Sequence, residues 1–331
     1  MKKRLLFISI SLLVAAALLY FVFKKIGARE IWKTFLSFPS VGIFWVVSLT
    51  IIYTVLSALR WQKILEDRGY LVPLKNLVST WASGFGIAYF TSLGGLLGDE
   101  VFKSYKVSNK FSVPMKIAAT SVFVDDLILD GSIFFLTIVT GIFFFILKVR
   151  AVPLQLWAII LFLFLPIGGL TIFYLTVFKT QRLVKWFEGL LKRFVNEKVV
   201  EDFASYKTEI LAFFKTTNKK MWMALIINLL KFVVSIARSW AIIFFLGIRA
   251  DVVTVFSISA FSNIAYIAPL PAALGSLEAL EAFAFEKLGF ASPSAVAFTL
   301  ILRAADILLA LVGIFLVFRF STKWLREKMD L

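Results

Sequence analysis

The 331-residue sequence has no cysteine and no histidine. Without cysteine there is no disulfide and no thiolate metal site. Without histidine there is no imidazole ligand and no Ser-His or Cys-His nucleophile. What is present is apolar: 60% of the residues are hydrophobic, 37 are Phe, and the mean hydropathy is +0.91. Apolar runs of about 18 residues or more recur along the chain, the length needed to cross a bilayer as a helix. They do not alternate as the strands of a membrane barrel would. The chain therefore reads as an all-α polytopic membrane protein. Its formal charge of +16 is carried by Lys and Arg flanking the apolar runs, as expected for membrane orientation and contact with anionic headgroups rather than for nucleic acid binding.

Candidate spans lie near residues 5–23, 41–59, 115–147, 153–178, 219–247 and 294–319. The first follows Lys2, Lys3 and Arg4 as a signal peptide would. It is long enough to span, however, and has no small-residue cleavage pattern before Lys24-Lys25, so it is expected to be a retained helix. Two further apolar stretches, 75–97 and 252–275, end in Gly- and Pro-rich polar turns, "TSLGGLLGDE" and "APLPAALGSLE". Gly94, Gly95 and Gly98 mark the first turn; Pro269, Pro271 and Gly275 mark the second. Irregular backbone at membrane depth survives only when buried in protein or lining a wet cavity, so these stretches read as re-entrant hairpins.

With six crossings and a cytoplasmic N-terminus, 25 Lys and Arg fall in inside segments and eight in outside segments. That bias is the expected one and places both termini in the cytoplasm. The dissenting outside cluster, Lys24, Lys25, Arg29 and Lys33, fits a short interfacial helix with Trp32 and Phe35. The two unusual stretches also match each other. A shift of 179 residues aligns Asp99 with Glu278, Phe111-Ser112-Val113-Pro114 with Phe290-Ala291-Ser292-Pro293, and Ile117-Ala118 with Val296-Ala297. The charge count puts the two hairpins on opposite sides of the membrane, the pattern of an inverted repeat. The expected organisation is a single membrane domain over 1–331. Its halves run from about 41 to 178 and 219 to 319, joined by a basic cytoplasmic segment, 179–218.

Several charges lie within apolar helices, where each carboxylate costs about 2.5–3.5 kcal/mol on insertion scales. Asp125, Asp126 and Asp130 share one helix, and Asp126 and Asp130, four apart, share a face. Asn228, Lys231, Ser235 and Arg238 form one polar stripe expected to face the bundle interior. Arg303 and Asp306, three apart, are placed to bridge on one face. Asp99, Glu100 and Glu278 sit at the hairpin turns, where carboxylates suit helix N-termini.

"TSLGGLLGDEVFKSYKVSNKFSVPMKIAATSVFVDDLILD" and "APLPAALGSLEALEAFAFEKLGFASPSAVAFTLILRAADILLALVG" resemble the two signature regions of the lysylphosphatidylglycerol synthase transmembrane (flippase-like) family. The first is similar to its Gly-Gly-Asp region followed by a basic residue and an acid-bearing helix. The second is similar to its Pro-Gly-Gly-x-Gly-x-x-Glu region followed by an Arg-bearing helix. Arg60-Trp61 fits the family's early Arg-Trp. Two departures stand out: the family's acid-arginine pair reads Asp125-Asp126, and its Gly-Gly after proline reads Ala272-Ala273. The aminoacyl-transfer domain of the bifunctional members does not follow the last helix, so the resemblance implies the membrane module alone.

The resemblance implies movement of an anionic phospholipid or a polyprenyl-phosphate-linked lipid across the cell membrane, with no catalytic residue, metal or cofactor. In that reading Lys231, Arg238 and Arg303, with Asn228, attract the lipid phosphate. Asp99, Glu100, Glu278, Asp125, Asp126, Asp130 and Asp306 supply counter-charge or protonatable coupling. Two alternatives stand beside it. One is a non-transporting partner of cell-envelope enzymes; the other is a metal-dependent prenyl transferase built on Asp125-Asp126-x-x-x-Asp130.

Overall fold

A computed structural model describes residues 28–90, 98–149, 210, 213–214, 217–268 and 270–328. The expected spans 5–23 and 153–178, most of the basic segment 179–218, and the turn residues Gly94, Gly95 and Pro269 lie outside the described residues. Within them the fold is helical throughout. The elements are α1 (Ala28–Leu36), α2 (Ser40–Asp67), α3 (Leu74–Phe90), α4 (Gly98–Phe111), α5 (Met115–Val149), α6 (Lys219–Phe245), α7 (Val252–Ile267), α8 (Ser276–Lys287) and α9 (Ser292–Lys328). Four of these, α2, α5, α6 and α9, are long and apolar enough to cross a membrane. At 17 residues, α3 is about 25 Å long, short of the ~30 Å hydrocarbon core.

The boundaries follow local chemistry. Pro39, Pro73 and Pro114, which have no N–H to lose, precede α2, α3 and α5 and offer their carbonyls to the first turn. The Asn218 side chain accepts from the N–H groups of Lys220 and Met221 at the start of α6, and Asp251 accepts from Thr254 N–H at the start of α7. Gly69 and Gly247, at φ 80° and 79°, end α2 and α6 in the same way. The residue after each, Tyr70 or Ile248, donates back to the carbonyl five positions earlier, Leu65 or Ile243.

The element order recurs. The first residues of α6, α7, α8 and α9 lie 177 to 179 positions after those of α2, α3, α4 and α5. Where the two sets meet they run in opposite directions. Along the α2–α6 seam Gly42 faces Phe245, Thr50 bonds Arg238, Arg60 bonds Asn228 and Glu66 pairs with Lys220. The seam is therefore antiparallel over its whole length. The other main pairs, α3 with α9 and α7 with α5, exchange when the sets are exchanged. Both crossings are close because glycine lines them: a Cβ on Gly86 would lie 2.6 Å from the Ala310 carbonyl oxygen, and one on Gly313 or Gly141 would meet the Ala82 or Phe256 carbonyl. Small residues that let backbones touch are how membrane helices associate without a hydrophobic driving force.

Burial is inverted relative to a soluble protein. Phe44, Leu229 and Phe318 are more than half exposed, whereas Arg60, Lys231 and Asp125 are at most 1% exposed. The outer surface is thus matched to acyl chains and the polar groups are turned inward. Apolar packing falls into separate clusters. Trp61, Leu65, Leu77, Val107 and Val122 form one cluster, and Ile243, Ile258, Leu277, Phe285 and Phe298 lie in another. Outside the bundle interior, Trp32 stacks on Phe35 at 5.7 Å on the short helix α1, with Trp32 exposed. At the far end of α5, Lys148 lies 2.7 Å from Asp251. With Thr254 it holds the half-exposed Asp251 carboxyl down to about 2.

Candidate functional site

The interior of the first set is organised around Arg60. Its Nε donates to Asp125 Oδ1 at 2.6 Å, its Nη1 to Asp130 Oδ1 at 2.6 Å and Asn228 Oδ1 at 2.5 Å, and its Nη2 to the Asp125 carbonyl at 2.9 Å. Asp125 and Asp130 are five apart, yet both reach one guanidinium. The reason is that α5 is π-helical over Val124–Asp130, where i→i+5 bonding widens the turn and brings such residues to a common side. The Asp125 and Leu129 carbonyls in this stretch also accept side-chain donors, from Arg60 and Asn228 Nδ2 (2.9 Å).

The network extends in two directions. Lys231, on α6, donates to Asp130 Oδ1 at 2.6 Å and sits over the Tyr53 ring, 4.7 Å from its centroid. Lys103, on α4, lies 2.8 Å from both Asp99 Oδ2 and Asp126 Oδ2. Its stem passes over Gly84, where a Cβ would collide with it. Four carboxylates (Asp99, Asp125, Asp126, Asp130) thus face three cations (Arg60, Lys103, Lys231). Beside them lies a cavity of about 320 Å³, bordered by Tyr53, Asp126, Asp130, Lys231, Ser235 and Asn263 together with apolar Ile133 and Phe134.

The second hairpin has a clamp of its own. Arg303, on α9, donates from Nη1 to the Ala272 carbonyl at 2.7 Å. Its Nη2 donates to the Ala273 carbonyl at 2.8 Å and to Glu278 Oε2 at 3.0 Å. Glu278 Oε2 also accepts from Gly275 N–H at 2.9 Å, so the carboxylate both caps α8 and holds Arg303. Ala272 and Ala273 each have φ 50°, the left-handed region that glycine enters freely and alanine at a cost of roughly 1–2 kcal/mol. The turn keeps a glycine-like conformation although its residues are alanine, and two bonds from Arg303 to its carbonyls hold it there.

The candidate residues do not converge on one point. Lys231 and Asn228 join Asp125 and Asp130 around Arg60, while Asp126 joins Asp99 through Lys103. Glu100 stands beside that pair, half-buried. Arg303 and Asp306 do not bridge. Arg303 takes Glu278, and Asp306 accepts from Arg238 Nη1 at 2.9 Å and the Tyr266 hydroxyl at 3.3 Å. The reason is reach: α9 lies against α8 and its turn on one side and against α6 on another, so each group meets an opposite charge across a helix interface. The polar stripe of α6 faces inward, with Asn228 and Lys231 fully buried and Ser235 on the cavity. Gly98 opens α4, Pro271 opens a single 3₁₀ turn to Ala273, and Gly275 precedes α8 at φ 81°.

Arg60 and Lys103 were not among the residues singled out by charge. Counting flanking cations assigned them to cytoplasmic segments, but α2 continues to Asp67 and both side chains are buried. The signal available for Arg60 was the Arg-Trp pair, in which Trp61 Nε1 donates to Ser121 Oγ at 3.0 Å. Glu281, fully buried on α8, was also missed; it lies three residues after Glu278 and carries no motif.

Comparison with known proteins agrees with this architecture. The family described as "Lysylphosphatidylglycerol synthase TM region" matches residues 8–313. The chain is 23% identical over 329 residues to the UPF0104 membrane protein MJ1595 of Methanocaldococcus jannaschii, covering 93% of each.

Proposed function

Because the chain belongs to the lysylphosphatidylglycerol synthase transmembrane family, we propose that this multi-pass membrane protein moves a phosphate-bearing lipid, an anionic phospholipid or a polyprenyl-phosphate-linked one, from one leaflet to the other. The observation that carries this reading is the cavity bordered by Lys231, Asp126, Asp130, Ser235 and Asn263, large enough for a lipid headgroup and set within a bundle whose outer surface is apolar. An ammonium has three donors and Asp130 uses one, so Lys231 keeps donors for a phosphate. Arg60 bonds both Asp125 and Asp130 and keeps the latter compensated if Lys231 turns to the ligand. Four carboxylates to three cations favour a second reading of the same site, in which the headgroup carries an amine beside its phosphate.

The antiparallel α2–α6 seam supports alternating access, since two sets of opposite direction expose one central site to either side by rocking. A metal-dependent transferase is less well supported. The carboxylates of Asp99, Glu100 and Asp126 cluster, but the Lys103 ammonium lies 2.8 Å from two of them, where a cation would sit.

The test is reconstitution into liposomes with labelled acidic, zwitterionic, aminoacylated and isoprenoid-phosphate lipids. Lys231→Gln keeps a donor for Asp130 and removes the charge. It is expected to slow phosphate-bearing anionic lipids at least tenfold, since a unit charge pair at 4 Å is worth about 4 kcal/mol at an effective dielectric of 20. No movement of any lipid by the wild type, or equal loss for every headgroup, sinks the reading.

A further inference from the structure

Glu281 differs from every other buried carboxylate described above. It is fully buried on α8, one turn beyond Glu278, but no cation among the described residues pairs with it. One oxygen accepts from the Ser262 hydroxyl of α7; the other, Oε2, has no partner among the described residues, nor has the buried hydroxyl of Ser259 on that same α7. Phe145 of α5, Phe261 of α7 and Phe283 of α8 pack on one another where these three helices meet, with ring centroids 4.7 to 6.1 Å apart. Among the described residues, the charges on the neighbouring helices are engaged elsewhere or exposed. Arg303 of α9 holds Glu278 and the turn carbonyls, Asp306 of α9 holds Arg238 of α6 and Tyr266 of α7, and Lys148 of α5 holds Asp251. On α8 itself, Lys287 lies over the Phe283 ring and Glu286 is exposed.

An ionised carboxylate without a counter-charge in such a place costs several kcal/mol, and the group neutralises instead. Sodium is a poor occupant, because it wants several oxygen ligands and, among the described residues, the Ser262 hydroxyl is the one group bonded to this carboxylate. A proton needs only one oxygen to sit on, and Oε2 is open to it. We propose that Glu281 is a proton-carrying site: it is neutral while α7 and α8 are packed as seen here and gives up its proton when movement of this hairpin brings it to water. Taken with the transport reading, on which only this clause rests, Glu281 is the group through which a proton gradient drives lipid movement.

The protonation is tested without reference to lipid. Infrared spectra of the protein in liposomes are expected to contain, at neutral pH, the C=O stretch of a protonated carboxylic acid that Glu281→Gln removes. Ser262→Ala should shift that band, because its hydrogen-bond partner is gone. Glutamine matches the carboxylic acid in shape, so folding is expected to be retained; if it is not, the Ser262→Ala shift decides alone. A wild-type spectrum lacking the band, a band untouched by both variants, or a band that appears only when sodium is withdrawn overturns the proposal. In the transport arm a proton gradient should accelerate wild-type movement several-fold and leave Glu281→Gln unaffected. If lipid moves but ignores the gradient, coupling through Glu281 is refuted and the transport reading stands. If no lipid moves, the transport reading fails while the infrared result still judges the site.

Discussion

Arg60 is the residue whose removal should cost most, and its two acids should not suffer equally. It is fully buried and makes four hydrogen bonds at 2.5 to 2.9 Å. Truncation to Ala strands Asp125, for which it is the only cation among the described residues, and leaves Asp130 still paired to Lys231 at 2.6 Å. Breaking a buried pair by deleting one partner costs about 3–5 kcal/mol, because the other charge remains desolvated. That is a large share of the 5–15 kcal/mol typical of a folded domain. Arg60→Lys should recover part of this but not the fork, so about 1–3 kcal/mol is lost. The decisive comparison is a second substitution in the Arg60→Ala background. Asp125→Asn removes the stranded charge and should restore about 1–3 kcal/mol. Asp130→Asn should restore nothing or destabilise further, because it strands Lys231 in turn. Equilibrium unfolding in mixed micelles measures all four variants. A loss below about 1 kcal/mol for Arg60→Ala, or equal rescue by both asparagines, would refute the reasoning.

Ala272→Gly and Ala273→Gly should each stabilise the second hairpin by about 1 kcal/mol by relieving a left-handed alanine; the same unfolding assay reads this, and destabilisation by both argues that the turn is not in that conformation. Gly313→Ala should cost at least 1–3 kcal/mol, because its Cβ meets the Ala82 carbonyl, whereas Gly131→Ala, with open space around it, should be neutral or gain up to about 1 kcal/mol. A single cysteine at Asn109 and another at Lys287, near the ends of α4 and α8 and placed in a chain with no native cysteine, should be labelled from opposite sides of the membrane; labelling of both from one side removes the inverted arrangement.

From residue order alone came everything that depends on a helix and its own faces. Apolar runs marked α2, α5, α6 and α9, Gly- and Pro-rich turns marked the two interrupted stretches, and the 179-residue shift related α4 and the start of α5 to α8 and the start of α9. The inward stripe of α6 was legible for the same reason: periodicity reports which side of a helix is polar. Partner choice was not. Arg303 and Asp306 stand three apart and look like a pair, but each bonds a residue on another helix. Arg60 reads as a flanking cation by position, yet it meets carboxylates 65 and 70 residues away. Asp125 and Asp130 converge only because a π stretch resets the turn that a 3.6-residue period assumes. These contacts follow from the antiparallel register of α2 against α6 and from the close glycine crossings, which are interactions between distant segments. No pattern within one helix specifies which opposite charge will be desolvated beside it. Glu281 is the extreme case: it carries no motif, and only the packing of α8 against α7 and α9 leaves Glu278 with an arginine and Glu281 with a serine.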